Sequence, residues 1–445
     1  MNSGKTSIIK HRPLTFVSLR GNGRSSRSSA KHTFIISYGN DRFLVDPGNI
    51  NGESSLPRID NLKAVIITHA HFDHFGNLLE VLKQCPTITA YCTRPTKQLI
   101  TQVFSRRLPY RDHSQLHQLM ERVVALKYRQ RQELTREVTV SLNHAGHMLG
   151  SAACIFDCPD GKILVTGDFS PQPRGVLTPF AVPDYEYRAI ISDGSFVGME
   201  RPDYPAERNS LLHRVQSTLE SGHNMLVPVD ALGLAQEFIL YLAGQMEAGK
   251  LRKSPIFCVD FLKDPNDARQ SFMDLSTRNL ILSHVDFFSE LYVGFREQFG
   301  NRRNALRNYF GSLIPLGADF DPTFLQGAIF MMPTQHFKYQ TLFGFHAKKF
   351  ARQIIAENGI LLLNKQHFHK VMLRRLSLQS EYRSAVLAPP SADHPYADDI
   401  INTVRAATPN VTILVHGRRS DLTRVAAASK NNKVLAPGIN EEVPL

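Results

Sequence analysis

A run of β-branched residues ends abruptly in histidines: VIITHAHFDHFGN, residues 65–77, crowds His69, His71, Asp73 and His74 into one short stretch behind an apolar segment. Little else in the chain restricts the fold as much, because this segment has to end a strand and open a helix while keeping four donor side chains together. A strand ending at Thr68 delivers His69 and His71, two positions apart, to the same side, and the next turn brings in Asp73 and His74. One short segment can thus serve two metal ions. Imidazole nitrogen and carboxylate oxygen without thiolate suit zinc kept open for chemistry rather than a closed structural site. The bland alternative is a chance histidine cluster on a surface loop, and it is weighed by what lies downstream.

Further donors follow, each at the end of an expected strand. NHAGHMLGSA offers His147 with His144 behind it, ILVTGDFS offers Asp168, and VTILVHGRRSD offers His416. Singly, each has an ordinary explanation as a core histidine, a turn-forming Gly-Asp or a helix N-terminal residue. Together they supply two half-sites, with Asp168 suited to bridge them.

The surrounding text fits this frame. LTFVSLR, HTFIISYG, DRFLVDPG and LKAVIITHA are short β-branched or aromatic runs broken by Gly, Asn and Asp, and so read as strands joined by turns. PTITAYC, EVTVSLNHAGH, ACIFDCPDGKILVTGDFS and YRAIISDGSF continue the pattern. From about residue 205 the pattern changes: LLHRVQSTLESG reads as helix, NMLVPVD as strand and LAQEFILYLAGQMEAG as helix, an alternation that predicts a parallel α/β layer.

Composition limits the function. A chain of 445 residues is too long for one ordinary core. No apolar run approaches the roughly 18 residues of a membrane span, and MNSGKTSIIKHRPL has no signal-peptide character, so the expectation is a cytosolic protein without membrane contact. Its five cysteines, odd in number and without paired C-x-x-C spacing, read as buried reduced thiols. Lys and Arg outnumber Asp and Glu by 52 to 40, with patches at SRRLPYR (105–111), KYRQR (127–131) and NRRNALR (301–307). Any single patch is ordinarily a solvated helix face, but a pI near 9.5 for the whole chain favours a polyanionic partner, nucleic acid before membrane. SGKT at residues 3–6 lacks the upstream glycine and the preceding strand of a phosphate loop.

THAHFDH is similar to the H-x-H-x-D-H signature of the metallo-β-lactamase fold, and HAGHMLGSA, TGDFS and FLVDPG, with Asp46, look like its accompanying motifs. LVPVDALGLAQEFILYL (226–242), ISDGSF with Asp193, and LVHGRRSDL with His416 resemble segments of the β-CASP nucleases, a group that includes ribonuclease J and the pre-mRNA 3′-end cleavage endonuclease. The resemblance runs from about residue 14 to 430 and is sharper in its first half. It implies an αββα sandwich made of residues 1–204 and 383–445, with an α/β β-CASP domain inserted at 205–382. It also implies two Zn2+, one held by His69, His71 and His147, the other by Asp73, His74 and His416, with Asp168 bridging. Asp46 and Asp193 would orient imidazoles from behind.

Departures from that pattern matter as well. Where the group has SAHAD, whose histidine protonates the leaving oxygen, this chain has SADHPYADD, so His394 is the preferred acid with Asp393 the alternative. The loops MMPTQHFKYQT and LLLNKQHFHKVMLRR replace Gly-rich family stretches, and His336, Lys365, His367 and Phe368 either rim a nucleic-acid cleft or pack against each other. Leu234 stands where the family usually has Arg. A histidine at position 416 resembles the RNA-cutting branch, where DNA-repair relatives have valine, so RNA is expected ahead of DNA. The expected activity is a zinc-dependent RNA nuclease that could draw specificity from a protein partner. A DNA nuclease, a small-molecule hydrolase of the same fold and a weakly active nucleic-acid-binding subunit are the alternatives.

Overall fold

In the computed structural model the chain is described over residues 13–19, 33–48, 56–172, 177–259, 313–316, 320–334, 342–364, 384–387, 393–417, 420–422 and 433–445. Two mixed sheets carry the first part. The first is built from β1 (Leu14–Ser18), β2 (Phe34–Tyr38), β3 (Asp41–Val45), β4 (Leu62–Ile66), β5 (Ala90–Thr93) and β6 (Val123–Leu126), closed at its other edge by β20 (Glu442–Pro444). Its order is β20-β1-β2-β3-β4-β5-β6, antiparallel up to β3 and parallel from there on. The second sheet takes β7 (Arg131–Glu133), β8 (Thr139–His144), β9 (Ala152–Cys158), β10 (Gly161–Val165), β11 (Tyr187–Asp193), β18 (Val411–Val415) and β19 (Lys433–Leu435). It mirrors the first: β7 to β10 are antiparallel, and β10, β11, β18 and β19 are parallel.

Alternation explains why these two sheets face each other. Phe16, Ile36, Phe43, Val45 and Ile66 from one inner face pack with Val140, Phe156, Val165, Ile191 and Ile413 from the other, all buried. On the outer face of the first sheet, α1 (Phe72–Phe75), α2 (Leu78–Gln84), α3 (Arg94–Arg107) and α4 (His113–Glu121) cover Ile35, Leu44, Val65 and Ala90 with Phe75, Leu78, Leu99 and Leu116. On the outer face of the second sheet, α8 (Ala397–Ala407) lays Ile400, Val404 and Ala407 against Ile155, Leu164, Ile190 and Leu414. The result is the αββα sandwich expected from the sequence.

The third sheet is wholly parallel, in the order β14-β13-β15-β12-β16-β17. Its strands are β12 (Met225–Val229), β13 (Ile256–Val259), β14 (Leu313–Leu316), β15 (Ile329–Pro333), β16 (Ile360–Asn364) and β17 (Ser384–Leu387). MLVPV and IFMMP are buried at every position, because α5 (Tyr204–Glu220) and α6 (Leu234–Glu247) cover one face and α7 (Leu342–Ala356) the other. Pro228 is tolerated in this central strand because the ladder to β16 stops at Leu226, before the proline. One boundary shifts. The sequence returns the chain to the sandwich from residue 383 onward, yet Ser384–Leu387 pairs in parallel with β16, so the third sheet extends past residue 382. All five cysteines are free thiols and four are buried; burial pushes Cys92 and Cys158 up to about 12. Among the described residues no helix is long and apolar enough to cross a membrane.

Candidate metal centre

Every strand that feeds the site does so from its carboxyl end. β4 leads to His69, β10 to Asp168, β11 ends on Asp193, and β18 leads to His416. Two glycines let these loops meet. A Cβ at Gly48, in the Asp-Pro-Gly turn after β3, would lie 1.5 Å from the carbonyl oxygen of Asp73. That turn also accepts the backbone and side-chain N–H groups of Asn77, at 2.8 Å (Pro47 O) and 2.7 Å (Gly48 O), which fixes α1. Gly167 has φ +57°, and a Cβ there would sit 2.8 Å from that of Thr68, so only glycine brings Asp168 against His69. Asp46 and His416 themselves occupy left-handed backbone, at φ +50° and +58°. Non-glycine residues in that region collect at functional sites, where the surrounding packing holds them.

Asp168 Oδ2 is the hub. It lies 3.6 Å from His69 Nε2, 3.5 Å from His74 Nε2, 3.8 Å from His147 Nε2 and 3.8 Å from His394 Nδ1. Around it three groups of donor atoms fall within 4.8 Å of one another: His69, His71, His147 and Asp168; Asp73, His74 and His416; Asp168, Asp193 and His394.

The opposite nitrogen of each ring is committed. His71 Nε2–H donates to the carbonyl of Leu232 at 3.2 Å, and His147 Nδ1–H donates to the carbonyl of Asp393 at 2.7 Å. Carbonyls only accept, so each neutral ring turns its lone pair inward. His74 Nδ1–H donates to Asp46 Oδ2 at 2.8 Å, while Thr68 accepts from His69 Nδ1 at 3.1 Å and donates its own hydroxyl to Asp46 Oδ2 at 2.7 Å. Asp46 thereby sets two imidazoles at once. On the other side, Ser195 Oγ links His416 Nδ1 to Asp193 Oδ1, and Asp193 Oδ2 accepts from His394 Nδ1 at 2.8 Å.

Do these side chains suit divalent cations? The inward nitrogens of His71 and His147, both lone-pair bearing, face each other at 3.1 Å. Two ligands of one tetrahedral zinc, each about 2.0–2.1 Å from the metal, stand roughly 3.3 Å apart. His69 Nε2 is fully buried and has no hydrogen-bond partner, an arrangement that is costly without a cation to satisfy it. The donor set fits zinc, and the clusters can coordinate metal.

Electrostatics follow from burial. Burial, then the charges of neighbouring rings (His74 and His394 respectively), drives His69 and His147 well below the ordinary imidazole range, and burial lowers His416 as well. At His74 burial opposes protonation, but Asp168 and Asp46 outweigh it and hold the ring well above that range. His394 behaves likewise: burial favours the neutral ring, yet Asp193 and Asp168 push it up to about 10. Its ring is wedged between His147, His416 and Phe196, with centroids 4.7, 5.9 and 5.0 Å away.

The loop that carries His394 is braced from outside the centre. Asp399 Oδ2 accepts from Tyr396 N at 3.0 Å and pairs with Arg201 Nη2 at 2.7 Å, and Arg201 stacks over the Tyr396 ring at 4.8 Å. Asp393 enters through its backbone carbonyl on His147, whereas the ring that meets Asp193 is that of His394. His144, expected behind His147, instead stacks on Tyr128 with centroids 3.9 Å apart and joins none of the donor groups among the described residues. His336, Lys365, His367 and Phe368 lie outside the described residues. Thr68, Ser195 and the Leu232 carbonyl are not singled out by the sequence. The hydroxyls carry a faint signal there, flanking the first histidine and following Asp193 by two positions.

Known proteins resemble the chain in the same terms. Residues 29–228 match the family described as the metallo-beta-lactamase superfamily. An RNase J-like protein of Methanocaldococcus jannaschii is 28% identical over 263 residues, covering 56% of this chain and 61% of that protein. Transcription termination factor FttA of Methanothermobacter thermautotrophicus is 28% identical over 295 residues, covering 60% of this chain and 46% of that factor. FttA of Cenarchaeum symbiosum is 25% identical over 325 residues, 66% of this chain and 50% of the factor. The chain thus spans about half the length of the curated relatives it matches. A crystal structure of a protein of unknown function from Enterococcus faecalis V583 superposes over 97% of this chain and 100% of its own, with a TM-score of 0.55 at 13% identity, a likeness of fold.

Proposed function

We propose, from the premise that the chain belongs to the metallo-β-lactamase superfamily in its β-CASP form, that it is a zinc-dependent nuclease hydrolysing phosphodiester bonds of RNA at a two-metal centre. The observation that carries this reading is the convergence of His69, His74, His147 and His394 on one carboxylate oxygen of Asp168. His69, His71 and His147 would hold one zinc, Asp73, His74 and His416 the other, and Asp168 both. Bound there, the ions supply a water that loses its proton near neutral pH and charge to offset that of the phosphate.

The chain's own residues do the rest. Asp46 holds Nδ1 of His74 directly, and Nδ1 of His69 through Thr68, so Nε2 is the nitrogen that each ring turns inward. His394 delivers a proton to the leaving oxygen, and Asp193, hydrogen-bonded to its Nδ1, orients the ring and stabilises its charged form. Phe196 and Tyr396 screen this pair from bulk water, since both rings are buried beside it. The inserted α/β unit adds the Leu232 carbonyl behind His71, so its docking helps complete the site.

RNA is preferred over DNA because the relatives' names include an RNase J-like protein and a transcription termination factor. The test is cleavage of end-labelled single-stranded RNA and of matched DNA by the zinc-loaded protein, with an Asp73→Ala, His74→Ala double variant as control. RNA cleavage that vanishes in the double variant supports the reading. Cleavage of DNA alone overturns the choice of substrate, and cleavage of neither with two zinc ions bound overturns the nuclease.

A further inference from the structure

Asp399, in the first turn of α8, is a buried carboxylate that belongs to none of the donor clusters found among the described residues. Burying an ionised acid is costly unless it is both paired and hydrogen-bonded. Asp399 is both, and its partners come from three different pieces of chain. Gln172 Nε2–H donates to Oδ1 at 3.2 Å, Tyr396 N–H donates to Oδ2 at 3.0 Å, and the guanidinium of Arg201 reaches Oδ2 at 2.7 Å.

Each piece leads to the centre. Gln172 follows Asp168 by four residues and Tyr396 follows His394 by two. Arg201 lies between Asp193, the last residue of β11, and Tyr204, the first of α5, where the chain leaves the sandwich for the third sheet. Its guanidinium also covers the Tyr396 ring, 4.8 Å from the centroid, and the Tyr396 hydroxyl meets that of Tyr204 at 3.0 Å. Phe196, joined to Tyr396 by an isolated parallel bridge, packs its ring against both Tyr396 and His394, with centroids 5.4 and 5.0 Å away. One charge pair and one cluster of rings thus pin residues 393–396 from outside.

On the inside the same four residues supply two contacts of the centre: the Asp393 carbonyl accepts from His147 Nδ1 at 2.7 Å, and His394 Nδ1–H donates to Asp193 at 2.8 Å. Losing Arg201 would leave an uncompensated buried charge on Asp399, which the loop relieves by moving toward water. A displacement of about 1 Å at a reacting group costs roughly a hundredfold in rate.

We propose that Arg201 and Asp399 are positioning residues: by tying the 393–396 loop to the segment that opens the inserted unit, the pair sets where the His394 ring stands when it delivers its proton. Both act through His394. This rests on the nuclease reading above.

The experiment uses the full zinc-loaded chain, with zinc content measured for every variant. Arg201→Met keeps a side chain over Tyr396 and removes the charge; cleavage of end-labelled RNA should fall about 30- to 100-fold. Hydrolysis of bis(p-nitrophenyl) phosphate should fall about tenfold less than that, because p-nitrophenolate leaves without a proton and asks little of the acid. Adding Asp399→Asn to Arg201→Met should regain about fivefold on RNA, since an asparagine still accepts from Tyr396 N and leaves no unpaired charge. In a His394→Asn background Arg201→Met should cost less than about threefold, the shortfall expected of two residues that act on one step. Arg201→Lys keeps the charge and loses the flat guanidinium; it should lose less than the methionine variant with the same bias toward RNA, and it gives the readout where that variant folds poorly. Lys253→Gln, which removes an exposed charge paired with Glu247 beyond α6, is the control. Equal losses on both substrates, or an Arg201→Met loss undiminished in His394→Asn, would reduce the pair to a brace of the fold and overturn the proposal while the nuclease stands. RNA cleavage by the Arg201 variants equal to that of Lys253→Gln would do the same. If the wild type cuts no nucleic acid, the nuclease reading falls and the positioning role with it.

Discussion

The two halves of the candidate metal centre, divided as proposed above, are held by different chemistry. Around His71 and His147 the outer ring nitrogens meet neutral carbonyls, one from the inserted unit and one from the loop before α8, and the third ring, His69, reaches Asp46 through the Thr68 hydroxyl. Around His74 and His416 the acceptors are, or lead at once to, the carboxylates Asp46 and Asp193. A carboxylate behind an imidazole raises its basicity as a ligand, while a carbonyl fixes only tautomer and direction. The first half therefore depends on two carbonyls that arrive from separate pieces of chain, and the second entirely on carboxylates already buried in the sandwich.

The contrast can be broken most severely at the point the halves share. Asp168→Ala should cost both half-sites their metal and reduce cleavage by at least about a thousandfold, read by metal analysis together with turnover. His394→Asn should spare both ions, because the ring sits on Asp193 rather than at the outer nitrogen of a ligand; turnover should drop about 100- to 10,000-fold at unchanged zinc content. Asp46→Asn reaches His74 directly and His69 through Thr68, so it should weaken both sites about 10- to 100-fold in zinc titrations. Thr68→Val separates the halves, since it removes the acceptor of His69 and leaves the Asp46 to His74 bond in place; a few-fold loss at only one of two sites is expected. Equal losses at both sites would mean that the halves are not independently braced.

The smallest effect lies outside the centre. Burial, aided by Arg129, lowers His144 to about 4. A folded pKa below the unfolded value means that the neutral ring's contribution is complete above about 6.5 and is lost as pH falls from there toward 4. His144→Phe should remove about 1–2 kcal/mol of that acid-side loss in urea melts and leave zinc affinity untouched.

Much of this arrangement is legible without coordinates. The strands up to β11 are β-branched runs between turn residues, and the donors that end them stand where a strand ends. What sequence does not show is backbone. The carbonyls of Leu232 and Asp393 become acceptors only because the inserted unit and the α8 loop dock against the sandwich. His144 and His147 look alike in NHAGH, and only the approach of Tyr128, which bridges to Leu142, sends the first away from the centre. SAVL at 384–387 has the composition of either sheet, and pairing with β16 rather than propensity assigns it to the third. The helical stretch from Arg94 to Glu121 carries no clear periodic signal beyond its charge, and packing on the first sheet decides it.

Thr15 pairs with Pro444, and Phe16 with Val443, so the strand near one end of the sequence finishes its sheet with the strand near the other. Pairings of that sequence separation form slowly, because almost the whole chain is a loop to be closed before they are rewarded. The same is true of the centre, where His69 waits for His394 and His416. On the ribosome, then, a nascent chain emerges with its histidine-rich loop long before the residues that would let that loop act. The order of synthesis thus presents the loop well before the residues that complete its donor clusters.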